Sequence, residues 1–63
     1  MEYNVKFLRE QKGWSQAKLS EESGVSRPII SAIESGKDPT TTTKTLQALA
    51  NALGTTFLDL FCN

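Results

Sequence analysis

An all-α domain of five short helices is the fold this sequence predicts, on three observations. Each of its four glycines, Gly13, Gly24, Gly36 and Gly54, follows a stretch with helical periodicity and is soon followed by a small polar residue. That is the stop-then-start punctuation of short helices joined by tight turns. No two-residue hairpin turn stands between alternating apolar runs, so the signals of a β-hairpin are missing. With 63 residues, 38% of them hydrophobic, the chain has enough apolar mass for one helical core and too little for two. Residues 1–63 are therefore expected to form a single domain.

The first helix is expected over residues 4–12, with Asn4 as a cap, Val5 and Leu8 on one face and Gly13 as a left-handed stop. Trp14 then packs across the joint. The second covers residues 15–23, with Ser15 as cap, Leu19 inward and Gly24 ending it. The third covers residues 26–35, capped by Ser26, with Pro28 in the first turn where a missing amide proton costs little. Residues 37–43, with Asp38, Pro39 and a run of threonines, read as the longest loop, because turn chemistry and β-branching discourage helix there. The fourth helix spans about residues 43–53, with Leu46, Leu49, Ala50 and Leu53 at spacings of three and four. A fifth starts at Thr56, where Thr56 and Asp59 resemble a capping box, and Leu60 and Phe61 fold back.

Composition excludes several function classes. Cys62 is the only cysteine and the sequence has no histidine, so neither an internal disulfide nor a Cys/His metal cluster is expected. Without histidine there is no ready general base near neutral pH, and the isolated glycines form no phosphate-cradling loop, so an enzyme is not expected. The longest charge-free run, residues 45–58, is interrupted by polar residues and cannot supply the roughly 20 apolar residues of a membrane span. Met1 leads directly into Glu2 and Tyr3, without the basic and apolar stretches of a secretion signal, and a cytoplasmic location is expected. Seven Lys/Arg against seven Asp/Glu give zero formal charge, so any case for a polyanionic partner rests on where the charges sit.

The second and third helices, joined by Gly24-Val25-Ser26, make a helix-turn-helix over about residues 15–35. At about 100° per residue, Ile30 and Ile33 lie together, with Val25 able to join them and Ile29 at the flank, assigned to the core. Pro28, Ser31, Ala32 and Ser35 lie opposite, and Arg27 at the amino end can swing toward them. A small face without acids permits entry into a DNA major groove. Two packed helices with a glycine turn equally occur in bundles that touch no nucleic acid.

Read as a string, Leu8-Arg9-Glu10-Gln11-Lys12-Gly13-Trp14-Ser15-Gln16, then Leu19, Ser23-Gly24-Val25-Ser26-Arg27, Ile30-Ser31, Ile33-Glu34 and Gly36-Lys37, the sequence resembles the Cro and phage-repressor family of helix-turn-helix proteins, also called the xenobiotic-response-element type. Thr45-Leu46, Leu49-Ala50, Ala52-Leu53-Gly54 and Leu60-Phe61 continue the match, which covers nearly the whole chain. The resemblance implies a five-helix, lambda-repressor-like DNA-binding domain. Its recognition helix, about residues 26–35, would sit in the major groove, with the second helix crossing the backbone and two copies pairing on a pseudo-palindromic operator.

Carried over residue by residue, the resemblance puts Gln16 where the family meets phosphate or braces a base reader; the alternative is a solvated helix start. Arg27 is the recognition helix's one long cation, suited to guanine O6 and N7, or else to phosphate or solvent. Pro28 and Ala32 fall where the family usually places polar base readers and offer apolar contact suited at most to a thymine methyl. Ser26, Ser31 and Ser35 complete the helix's candidate contacts, and Lys37, Thr42 and Lys44 are placed to meet the backbone, or to form an ordinary polar loop. Glu34 projects beside Ile30 and Ile33 and needs a cation there, and Arg9 stands where the family pairs one with it.

The loop before Thr45 is one residue longer than the common pattern, and Pro39 comes early. Together with Pro28, this shifts specificity toward Arg27 or toward DNA shape. Self-association would use Phe57, Leu58, Phe61 and Cys62, with Leu60 beside them, residues that serve equally well to close the monomer's core. The expectation is a sequence-specific, repressor-like transcriptional regulator with no cofactor, binding double-stranded DNA as a homodimer. The alternative is a protein-interaction module that keeps the fold without binding DNA.

Overall fold

Four α-helices and a 3₁₀ turn follow one another in the computed structural model, which describes residues 3–36 and 42–60. They are α1 (Val5–Gln11), α2 (Gln16–Ser23), α3 (Arg27–Glu34), α4 (Thr43–Leu53) and the turn Leu58–Leu60. The all-α class holds, and the expected fifth helix contracts to that single turn. Leu60 is fully buried, and its carbonyl accepts the Asn4 amide at 2.6 Å. That carbonyl therefore serves as a tie to the start of α1.

The core lies where α2 packs on α3 and α4, with α1 closing one side. Val5, Leu19, Val25, Ile30, Ile33, Leu46, Leu49, Ala50, Leu53 and Leu60 fill it, flanked by half-buried Leu8, Trp14 and Phe57. Every residue of the α4 series at spacings of three and four is buried. Each fully buried aliphatic side chain contributes about 1.5–3 kcal/mol, the main stabilising term for a chain with no metal or disulfide in the described residues. No helix is long and apolar enough to cross a membrane among the described residues.

The caps divide by backbone geometry. Ser15 is extended and its hydroxyl accepts the Lys18 amide at 3.0 Å; Thr42 does the same for Thr45 at 3.2 Å. Asn4 does not cap as expected, because its ψ of 18° lies outside the extended region that aims a capping side chain back at the helix. Ser26 is extended and yet makes no side-chain capping bond. Thr56 does cap the last turn, its hydroxyl accepting the Asp59 amide at 3.2 Å. Hydrogen bonds from Thr55 and then Thr56 hold the Asp59 carboxyl below the ordinary aspartate range.

One polar cluster crosses this interior. Arg9 Nε donates to Glu34 Oε2 at 2.8 Å and Nη2 to Oε1 at 3.1 Å, while Nη1 donates to the Trp14 carbonyl at 2.6 Å. Gln16 Nε2 adds a fourth bond, to Glu34 Oε1 at 3.0 Å. The two charged side chains are only 11% and 5% exposed. Burial pushes the Glu34 carboxyl up, but the bonds from Arg9 and Gln16 outweigh it and leave the carboxyl below the ordinary glutamate range. The expected Arg9–Glu34 pair is therefore present as a bidentate fork that fastens the end of α3 to α1 and to the start of α2.

Two outcomes follow. A double-mutant cycle over Arg9→Ala and Glu34→Ala, read from denaturant midpoints by Trp14 fluorescence, gives a coupling above about 0.5 kcal/mol; additive losses would contradict the fork. Because the folded Glu34 value lies below the unfolded one, about 4.3, its stabilising contribution is complete above that pH and is lost as pH falls through the folded value. The midpoint of Glu34→Gln should consequently fall less than that of the wild type between about pH 6 and pH 3, Asp59 titrating alike in both.

Candidate nucleic-acid interface

The orientation of α3 is set at both ends. Gly24 adopts φ +77°, a left-handed stop that turns the chain sharply out of α2, and an added Cβ would meet nothing within 4 Å, so the requirement there is conformational. Val25 then drops into the core, only 8% exposed, and pins the turn. Ser26 is extended, and Pro28 fixes φ in the first turn of α3. At the other end the Arg9 fork holds Glu34. Between these anchors Ile30 and Ile33 face inward at 0% and 1% exposure.

The side of α3 turned away from the core stands open. Ser26, Arg27, Pro28, Ser31 and Ser35 are exposed, and Ala32 is half-buried. No hydrogen bond or ion pair with a described residue engages the Arg27 side chain, and Ser35 spends its hydroxyl on the Ala32 carbonyl at 3.0 Å. The only carboxylate on α3 is that of Glu34, which is buried in its fork, so the open side carries one cation, hydroxyls and apolar groups. A surface of that kind accepts a polyanion without a repelling acid on the same helix.

The remaining candidates are placed as follows. Gln16 is half-buried, and its amide grips Glu34; the bracing it provides is aimed at the fork and not at a base-facing side chain as the sequence reading allowed. Thr42 is exposed, but its hydroxyl is held as the α4 cap and also donates to Thr45 Oγ1 at 3.1 Å. Lys44 is exposed in the first turn of α4. Lys37 lies outside the described residues, as do Phe61 and Cys62. Of the pairing candidates, Phe57 packs in part against the core, whereas Leu58 is 76% exposed.

Two features were not foreseen. Ile29, assigned to the core, is 41% exposed. Ile29 and Ile30 are consecutive on a helix and so point about 100° apart; Ile30 takes the core and Ile29 is left on the flank. Trp14 is clasped by two ammonium groups, Lys12 Nζ at 5.1 Å and Lys18 Nζ at 5.9 Å from its ring centre, and Lys18 also pairs with Glu22 at 3.1 Å. In the sequence only the placement of Lys12 two residues before Trp14 and Lys18 four residues after it signalled that clasp. A groove of about 310 Å³ between α1 and the end of α3 is lined by Tyr3, Phe7, Ile33 and Glu34 among others, and of the open α3 residues only Ser35 reaches it.

Comparison with known proteins agrees with this geometry. No curated protein matches the chain in sequence. A solved structure, that of the SinR protein/SinI protein complex, superposes with a TM-score of 0.80 at 26% identity, covering 86% of this chain and 52% of that one. The present chain thus spans about half the length of that neighbour. The profile of the helix-turn-helix family matches residues 5–60, from the first residue of α1 to the end of the 3₁₀ turn. With that match across nearly every described element, and the fold shared with SinR, the chain belongs to the helix-turn-helix family of the Cro and phage-repressor type.

Proposed function

We propose that this chain is a sequence-specific, repressor-like regulator of transcription that lays α3 in the DNA major groove. The observation that carries the reading is the open side of α3: Arg27 exposed at its amino end, hydroxyls along it, and its single acid withdrawn into the fork with Arg9. In this arrangement Arg27 grips a guanine edge through its planar fork. Ser26 and Ser31 contact bases or phosphate, and the amino end of α4 with Lys44 meets the backbone on the other flank. Thr42 contributes by holding that end of α4 in shape.

Gln16 serves as a positioning residue, since it clamps the start of α2 to the end of α3 and so sets how the two helices straddle the backbone. Two copies pairing through the surface around Leu58 would address a pseudo-palindromic site, with occupancy of the operator as the regulatory act. Zero net charge and the small, bland face of α3 also allow a second reading, a partner-protein module on the same fold.

Titration with salt separates the two. The logarithm of the affinity for a duplex selected from a random pool should fall linearly with log salt, at a slope of about 0.9 per phosphate contacted; a flat response on every duplex would reject the regulator. On that selected duplex Arg27→Ala should lose about 5- to 150-fold, the range of one bidentate arginine–guanine contact. Random duplex should lose far less, and equal losses on both would remove Arg27 from base reading.

A further inference from the structure

The one large apolar side chain that α3 leaves exposed calls for a ligand of its own kind. Ile29 is 41% exposed while its neighbour Ile30 is wholly buried, and it stands in the first turn, directly after Pro28. At 100° per residue, Ala32 falls between Pro28 and Ile29 on the helix surface. The three form a continuous apolar strip beside the hydroxyl-bearing middle of the open side. The other exposed large apolar residues among those described, Phe7 and Leu58, belong to α1 and to the 3₁₀ turn, so the strip on α3 is narrow and isolated on its own helix.

We propose that Ile29, supported by Pro28 and Ala32, selects thymine through its 5-methyl group; this rests on the regulator reading above. The methyl of thymine is the apolar feature that a base pair presents in the major groove, and a branched aliphatic group is its natural complement. The charges around the strip favour a nucleic acid over a protein as its occupant. Arg27 is exposed in the same first turn, about 160° round the helix from Ile29, Ser26 and Ser31 offer hydroxyls, and α3 exposes no carboxylate. A strip of three small or medium side chains is also far below the area that a stable protein interface buries. Base selection in this chain is then divided between a guanine held by Arg27 and one or two neighbouring thymines held by the strip.

The test uses the full chain and the duplex it selects from a random pool. Each thymidine of that duplex is replaced in turn by deoxyuridine, which removes the methyl group and leaves the hydrogen-bonding edge intact, and affinity is measured at several salt concentrations. At one or two positions the wild type should prefer thymine by about fourfold, the factor for burying one methyl-sized group. Ile29→Ser should bring that ratio close to one, and Ile29→Val should keep most of it; unchanged Trp14 fluorescence midpoints would show both variants folded. Wild-type affinity indifferent to every uracil, or a thymine preference that survives in Ile29→Ser, overturns the assignment while salt-dependent binding leaves the regulator reading standing. Absence of salt-dependent binding to any duplex overturns both.

Discussion

The fork between Arg9 and Glu34 is the constraint on which the arrangement of this chain depends. Three helices are too short to fix one another by apolar packing alone: α1 has seven residues, and α2 and α3 have eight each. Apolar contact is non-directional, so it permits small rotations of one helix against another. A guanidinium bonded to both carboxylate oxygens and to the Trp14 carbonyl permits very few. Removing charge from water on this scale is costly, and such a pair adds modest net stability compared with well-packed hydrocarbon. Its contribution is to orientation: the open side of α3 is held in a single direction relative to α1 and α2.

The same fork resolves the apparent conflict between zero net charge and an anionic partner. A count of acids and bases treats every carboxylate as equivalent, yet Glu34 is 5% exposed and balanced in place, and Glu22 is matched by Lys18. What a ligand meets along α3 is Arg27 without an acid beside it. Local placement, and not the sum, sets the field at the surface within the Debye length of about 8–10 Å.

Much of this was legible in the sequence, for reasons that differ by residue. The four glycines all take positive φ, which is why their spacing located the helix ends. The α4 leucines followed from a strong period of 3.6; that Glu34 needs a cation followed from its place on an apolar side, and that the cation is Arg9 followed from the resemblance to the family. The misses arose where one-dimensional pattern lacks geometry. Asn4 and Ser26 have capping chemistry, but Asn4 sits at a ψ of 18° and the extended Ser26 makes no side-chain bond to its helix, so in both it goes unused. Ile29 has core composition, and only the direction of Ile30 decides that it is excluded. The last turn carries a capping signal without enough residues between it and buried Leu60 to build a full helix. The Gln16 bond to Glu34 spans 18 positions, and nothing local in the sequence announces it.

The bond from the Asn4 amide to the Leu60 carbonyl joins the beginning and the end of the described fold side by side. A tension applied through the two ends would therefore load this short clasp and the last turn before it reached the joint between α2 and α3. Anything attached beyond either end, whether another domain or a tethered partner, can tug at the molecule while the helix-turn-helix stays mechanically shielded. The clasp acts as a buckle, and the open side of α3 lies on the part of the belt that carries the load last.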